Sequence, residues 1–474
     1  MCSKKKKMSL LQIPLFLETL QNSGLGEAEN ALNSFTTLQF SFQGALLGFA
    51  LLVIVSTIFD KIGAKLSIPG SIFLFSLGLI SNFSGFSFES MPLEQVHIVA
   101  LCILLFFSGL TFDQSVLKDN KLFVSSILLA LLGTVVSMVF WVFYVRYGLN
   151  FFALLGYAEG IEPKMLTMMT VIIVYSMAVH DWNSYAFVHK QARTIRKILS
   201  NVFKIETSIS AAISLLLAEV MVLAWLRVYP EYSQLPAIQQ LGEVLRGVFI
   251  GIVSGIVLGL LLTYVIRNFV DDKPQLVLVA MGFTFLGYFI SDVCVEHGGY
   301  LCALIMGITT SSMYRSKATL DEIQFLGEEL ESFNIASEAI LFYAIGLGLQ
   351  PKLFFYHLPI AIFIWIGIML IRPVCVKLFV RSENLNLEEL SLLSFWSPKG
   401  AISMALVVGA PELLHQTFEI EIVDILPLNG FSLMVDSVCG AVIISMIVKS
   451  FIIPKIHPYF APKNSSNQSI FKPS

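Results

Sequence analysis

Apolar residues in this chain are gathered into long runs that are separated by short polar segments. A helix that crosses a bilayer needs about 20 mostly apolar residues, and runs near that length predict about thirteen transmembrane helices. Their predicted bounds are 39–59, 66–84, 94–112, 122–146, 166–188, 205–227, 244–266, 275–292, 298–314, 333–350, 353–376, 391–410 and 432–453. The pattern therefore predicts an all-α membrane protein, with an N-terminal tail at 1–38 and a short cytoplasmic tail at 454–474.

Two predicted spans, the fifth and the twelfth, carry polar or helix-breaking residues near the middle. The fifth contains the sequence HDWNS at 180–184, and the twelfth contains Pro398, Lys399 and Gly400. Proline removes a backbone donor and glycine loosens a helix. Such backbone is tolerated at membrane depth where it is buried in protein or lines a cavity. We predict two broken, crossing helices, with Asp181 beside half-helix N-termini and Lys399 beside half-helix C-termini. A polar packing cluster and an ordinary proline kink are the alternatives.

The two interrupted spans hold matching places in two sets of six spans. The first repeat covers 39–227, a linker helix covers 244–266, and the second repeat covers 275–453. The linker helix reverses the orientation of the second set. Paired interrupted segments in two inverted halves are typical of a binding site in a secondary transporter.

Composition agrees with a membrane protein and excludes several other classes. Hydrophobic residues make up 56% of the chain and charged residues 13%, whereas soluble chains have about 45–50% and about 25%. This excess excludes a soluble enzyme, a nucleic-acid binder and a disordered scaffold. The sequence has no phosphate-binding glycine-rich loop, metal-ligand cluster or nucleophile triad. We therefore expect neither enzymatic activity nor a cofactor, and no metal beyond a transported cation.

The distribution of basic residues predicts the orientation. Lysine and arginine concentrate between alternate spans, which places the C-terminus in the cytoplasm. Lys449 is counted with this inner side, whereas the run Lys4–Lys7 falls on the opposite side and does not fit. The architecture suggests the plasma membrane of a prokaryote. The segment 317–331 is interpreted as a solvated connector, with an amphipathic helix on the inner face as the alternative.

Ionisable residues inside predicted spans are costly in hydrocarbon, so each is a candidate for function. Glu206 lies near the inner end of the sixth span, and Arg372 lies near the inner end of the eleventh. Because the two residues share one depth, we predict a structural ion pair between them. Glu219 and Glu338 are also within spans, and their roles are left open.

Three segments resemble the NhaP-type monovalent cation:proton antiporters of the sodium/proton exchanger family, within a resemblance that covers about 40–453. LIRPV at 370–374 resembles the arginine-containing eleventh helix of that family. WSPKGAIS at 396–403 resembles its W-x-G-L-R-G-A-hydrophobic-S signature, with lysine in place of arginine and proline in place of leucine. IETSISA at 205–211 matches its E-S-x-x-N-D segment by position.

The resemblance implies a fold of thirteen helices, a homodimer, and a core domain that moves against a dimerisation domain. It also implies that Asp181 matches the aspartate of the family's T-D motif, with His180 in place of threonine. The pairing of Glu206 with Arg372 is supported by the same resemblance.

One departure from the family pattern affects its chemistry directly. The main ion-carrying aspartate of the family falls on Ala211, and the asparagine before it falls on Ser210. An aliphatic side chain neither binds a proton nor ligates a cation. The usual exchange chemistry is therefore absent at this position, and Asp181 becomes the predicted exchanging acid.

The remaining predicted site residues offer oxygen or nitrogen atoms near that acid. Oxygen ligands suit a small hard cation, and imidazole titrates near neutral pH, which makes it a candidate proton relay. The predicted transport and ion-binding residues are Asp181, His180, Asn183, Ser208 and Ser210. The predicted activity is antiport of protons against Na⁺ or K⁺ by alternating access.

Two other functions stay open. One is a membrane protein that keeps the exchanger fold without proton-coupled transport, such as a regulatory or partner subunit, because Ala211 replaces the family aspartate. The other is a transporter of another small solute, in which Lys399 and His180 meet an anion. If the protein is a cation:proton antiporter, Lys399, with Pro398 and Gly400 beside it, only balances charge at the helix break.

Overall fold

The computed structural model describes most of the predicted spans. The described residues are 51–63, 65–66, 68–83, 93–110, 120–157, 162–180, 197–229, 237–270, 273–294, 298–313, 317–380, 390–391, 393–394, 399–410 and 428–460. Within these ranges every regular element is an α-helix, so the predicted all-α class is confirmed.

We number the main helices of the described residues in chain order. They are α1 (51–63), α2 (Gly70–Phe83), α3 (Leu93–Leu110), α4 (Asn120–Leu154), α5 (Pro163–Ala178), α6 (Lys197–Val228), α7 (Ala237–Phe269), α8 (Lys273–Cys294), α9 (Gly298–Met313), α10 (Lys317–Gly348), α11 (Pro351–Tyr356), α12 (Leu358–Phe379), α13 (Ala401–Val408) and α14 (Leu428–Phe460).

These helices have the length and composition of membrane spans. Among the described residues, six apolar segments of 18 residues or more are long enough to cross a bilayer, and they lie in α4, α7, α8, α10, α12 and α14. The helices α2, α5 and α9, and the described apolar part of α3, are shorter. Shorter apolar helices suit a protein whose interrupted backbone is covered by neighbouring helices.

One local interpretation was wrong. The segment 317–331 is not a solvated connector, because it forms the first half of the continuous helix α10. Leu326 and Leu330 are buried in a cluster with Phe106 and Leu262. Leucines four positions apart lie on one helix face, so this face of α10 packs into that cluster.

The contacts between helices divide the described structure into two bundles. In the scaffold bundle, α9 packs against α3, α7 and α8, and α10 packs against α2 and α3. In the crossing bundle, α4 packs against α5, α6 and α12, and α14 packs against α5, α12 and α13. The bundles touch where α6 meets α3, α7 and α9, and where α13 meets α3 and α10.

Glycines allow a close helix contact within the scaffold bundle. Gly109 on α3 faces Gly307 on α9, and a Cβ atom on Gly109 would lie 3.1 Å from the Cα of Gly307. The same Cβ atom would lie 2.9 Å from the backbone nitrogen of Ile308. Small residues at membrane helix interfaces permit such backbone approach, so these two glycines set the spacing of α3 and α9.

The helices of the crossing bundle end at the two places where the sequence is irregular. Helix α5 ends at Ala178, and Val179 adopts an extended conformation with φ −69° and ψ 144°. Lys399 and Gly400 are not helical, and α13 begins at Ala401. Both chain segments therefore leave the helical conformation inside the bundle.

Candidate functional site

Lys399 joins the two irregular segments. Its ammonium group donates a hydrogen bond to the carbonyl oxygen of Val179, 2.7 Å away, and another to the carbonyl oxygen of Met177. These carbonyls belong to the C-terminal end of α5, where unpaired carbonyl groups carry partial negative charge. Lys399 is 3% exposed. The buried ammonium group of Lys399 thus lies at the negative, C-terminal end of α5. The next residue, Gly400, is the N-cap residue of α13.

A second buried charge pair holds α6 to α12. Both guanidinium Nη atoms of Arg372 donate to the carboxylate of Glu206, and Nη2 lies 2.7 Å from Oε2. The Nε atom of Arg372 donates to the carbonyl oxygen of Leu393 at 3.1 Å. Two parallel contacts make this a bidentate pair, which is the strong form of an arginine–carboxylate interaction. Both side chains are buried.

His180 lies beside this pair. Its Nε2 atom is 3.5 Å from Nη1 of Arg372 and 4.0 Å from Oε1 of Glu206. Arginine is only a donor, so Nε2 must accept, and a neutral His180 ring carries its proton on Nδ1. Nδ1 is buried and has no hydrogen-bond partner among the described residues. The imidazole therefore has one nitrogen beside the ion pair and one without a partner among the described residues.

Ser208 and Ser210 follow Glu206 on α6; Ser210 lies one turn further along the same face, whereas Ser208, two residues on, points to the opposite side of the helix. The hydroxyl of Ser208 donates to the carbonyl oxygen of Ser108 on α3 at 2.5 Å, and that of Ser210 donates to the carbonyl oxygen of Thr207. Ser208 thus contacts the scaffold bundle. In the described part of the chain, no hydrogen bond joins either serine to His180.

Ala211 is completely buried on the same helix. Its methyl group offers neither a proton acceptor nor a cation ligand, so this buried position of α6 is chemically inert. The predicted residues Asp181, Asn183 and Pro398 lie outside the described residues.

The structure also contains a buried charge that the sequence did not single out. Lys449 on α14 is 3% exposed, although its place near the end of the last predicted span put it with the basic residues of the inner side. A lysine within a predicted span was the available signal, since such residues face protein or water rather than lipid. The buried ionisable side chains of this region, among the described residues, are therefore His180, Glu206, Arg372, Lys399 and Lys449.

Comparison with known proteins gives a consistent picture. Residues 47–457 match the family model described as the transmembrane sodium/hydrogen exchanger. No curated protein sequence matches the chain.

Two solved structures share the fold. Both are of the sodium proton antiporter MjNhaP1 from Methanocaldococcus jannaschii, one determined at pH 8 and one an electron-microscopy map. The first has a TM-score of 0.68 at 16% identity and covers 89% of this chain and 99% of the antiporter. The second has a TM-score of 0.66 at 16% identity and covers 91% and 99%. At this identity the likeness describes the fold.

Proposed function

Since this chain belongs to the sodium/hydrogen exchanger family, we propose that it is a secondary antiporter that exchanges a monovalent cation for protons by alternating access. It is a multi-pass membrane transporter rather than an enzyme. The observation that carries the proposal is the contact of Lys399 with the carbonyl end of α5, since it brings interrupted backbone and a buried charge together inside the helix bundle. Helix ends of this kind form ion sites in secondary transporters.

We assign the cation to Asp181, which directly follows His180 in the sequence. His180 is fixed beside the Glu206–Arg372 pair, so the backbone entering Asp181 starts from a defined position. A carboxylate is a suitable ligand for a small hard cation. Asn183, Ser208 and Ser210 are the proposed neighbouring oxygen ligands, and His180 is the proposed proton relay through its unpartnered Nδ1.

The two bundles provide the moving parts in this proposal. Ser208 of the crossing bundle donates to the carbonyl oxygen of Ser108 in the scaffold bundle, so the bundles touch on the side of α6 opposite to Glu206. Sliding of the crossing bundle against the scaffold bundle exposes the site to one side of the membrane at a time. The Glu206–Arg372 and Lys399 contacts lie within the crossing bundle and travel with it. Two copies of the chain form the proposed homodimer, and the plasma membrane is its proposed location, with a cytoplasmic C-terminus.

A transport assay with purified protein in liposomes tests the proposal. A pH gradient is imposed, Na⁺ or K⁺ is added, and the internal pH is followed with a fluorescent dye. We expect Na⁺ to drive proton movement, since the antiporter that shares this fold is a sodium proton antiporter, with K⁺ as the second cation. Asp181→Asn should abolish the response. Asp292→Asn, on α8 in the scaffold bundle, is the matched control and should retain it.

Ala211 favours one second candidate, a membrane protein with the exchanger fold that does not couple cations to protons. This candidate predicts no response of the unchanged protein to any monovalent cation over a range of pH. It also predicts that Ala211→Asp creates a response where none existed. A cation response in the unchanged protein that disappears in Asp181→Asn would exclude it.

A further inference from the structure

Lys449 is a buried lysine whose charge has no partner among the described residues. It lies on α14, and its side chain is 3% exposed. Its Nζ atom is buried and has no hydrogen-bond acceptor in the part of the chain that the structure describes. A lysine ammonium has three donors to satisfy, and a buried ammonium without a partner is among the most costly groups in a protein interior.

The groups that face Lys449 increase this cost. The charges that act on it are those of Lys399, from the break before α13, and Arg372, from α12. His180, which follows α5, experiences the charge of Lys449 in turn. Both oxygen atoms of the buried Glu206 carboxylate on α6 are taken by Arg372.

The three cations differ in how their charge is compensated. Arg372 has the Glu206 carboxylate, and Lys399 has the carbonyl oxygens of Met177 and Val179. Within the described ranges, Lys449 has neither a carboxylate nor a carbonyl as a partner. Of the three cations, Lys449 therefore has the fewest described groups to stabilise its protonated form. An amine nitrogen can also release a proton, whereas a guanidinium does not.

Because Ala211 stands where the family has its ion-carrying aspartate, α6 lacks the acid that would otherwise carry a proton. A cation that enters beside His180 brings a positive charge to a region that already holds Arg372 and Lys399. If Lys449 gives up its proton at that moment, the total charge of the region stays constant. The N–H bond breaks, the electron pair stays on Nζ, and the proton leaves to water; the reverse step follows release of the cation.

We propose that Lys449 holds the proton that is exchanged for the cation, while Asp181 holds the cation. This inference rests on the proposed function and assigns the proton half of the exchange to α14. The site then alternates between a cation-loaded form with a neutral Lys449 and an empty form with a charged Lys449. Cation binding and proton binding compete through charge, although they occur on different side chains.

The test separates cation movement from proton coupling. Full-length Lys449→Gln is placed in liposomes, and two rates are measured: exchange of radioactive Na⁺ for Na⁺ at equal pH, and proton movement driven by a Na⁺ gradient. We expect Na⁺ exchange to persist and proton movement to fall by about tenfold or more, because a glutamine amide does not titrate. Lys377→Gln is the matched control, since Lys377 is an exposed lysine near the inner end of α12; it should leave both rates unchanged.

The remaining outcomes each decide the question. Proton movement in Lys449→Gln at the rate of the unchanged protein would overturn the inference, as would loss of both rates in a variant that stays folded. If Lys449→Gln is not recovered as folded protein, Lys449→Arg is used, and retained proton coupling there overturns the inference because a guanidinium keeps its proton. Absence of both rates in the unchanged protein overturns the proposed function itself, which is a different result.

Discussion

Nζ of Lys399 lies 2.7 Å from the carbonyl oxygen of Val179, the residue at which helix α5 gives way to extended backbone. A second bond from the same ammonium reaches Met177. The two carbonyls have lost their helical donors because α5 stops at Ala178. One side chain thus replaces hydrogen bonds that the interrupted helix does not make.

Replacing Lys399 with methionine should destabilise the protein. The change removes the ammonium donor from the buried carbonyl oxygens of Met177 and Val179, and Val179 keeps only the long contact from the Ser403 hydroxyl at 3.5 Å; a buried acceptor that loses its donor costs about 1–3 kcal/mol. We expect a lower melting temperature in detergent and reduced transport. Lys399→Arg should recover part of both, because a guanidinium also donates to two carbonyls. Lys377→Met, which removes an exposed lysine, should leave the melting temperature near that of the unchanged protein; an equal loss there would contradict the argument.

Breaking the Glu206–Arg372 pair from either side should cost more than removing both partners. Glu206→Gln leaves a buried guanidinium without a counter-charge, and such breaks cost about 3–5 kcal/mol. The double variant Glu206→Gln with Arg372→Met strands no charge, so its loss should be smaller than the sum of the single losses. A double-mutant cycle on the free energy of unfolding measures this coupling.

The exposed pair Glu243 and Arg246 supplies the control for that cycle. Its atoms are 3.7 Å apart on α7, and both side chains are exposed. Exposed pairs contribute little, so its coupling energy should be close to zero. Additive losses at Glu206 and Arg372 would show that their contact contributes nothing beyond the two separate side chains.

The sequence predicted much of the helical framework for a simple physical reason. Long apolar runs have few alternatives to a membrane helix, and the predicted and observed bounds of α7 to α9 and α12 largely coincide. The segment 317–331 was misjudged because its many charges suggested solvent, although Leu326 and Leu330 are buried by neighbouring helices. Burial by other helices is a tertiary fact that a local pattern does not contain.

The sequence identified some residues of the candidate site and missed others. Glu206 and Arg372 were placed at one depth from their spans, and the structure joins them in a bidentate contact. Lys399 stood out because Pro398 and Gly400 flank it. Lys449 did not, since a lysine near the inner end of a span is the ordinary signal of the cytoplasmic side. Only packing reveals that its ammonium is enclosed.

A separate buried pair should stabilise the packing of α14 against the corner between α11 and α12. His357, the residue between α11 and α12, places Nδ1 2.7 Å from Oδ2 of Asp436 on α14, and both side chains are buried. Asp436→Asn removes the acceptor charge, and we expect a loss of about 3 kcal/mol in the free energy of unfolding. His357→Gln should cost a similar amount, and the double variant should cost less than the sum. Thermal unfolding in detergent measures all three, and an unchanged melting temperature in Asp436→Asn would show that the contact is not stabilising.

One added methyl group between α3 and α9 should also destabilise the protein. Gly307→Ala would place a Cβ atom 3.1 Å from the carbonyl carbon of Gly109 and 2.9 Å from the backbone nitrogen of Leu110. Backbone atoms do not move aside as side chains do, so α3 and α9 must separate, at a cost of about 1–3 kcal/mol. Gly282→Ala on α8 is the control, because a Cβ atom there meets no atom within 4 Å and alanine is the better helix former by about 1 kcal/mol. We expect Gly307→Ala to lower the melting temperature and Gly282→Ala to preserve or raise it. Equal effects of the two changes would mean that helix propensity, rather than contact between α3 and α9, determines the stability of this bundle.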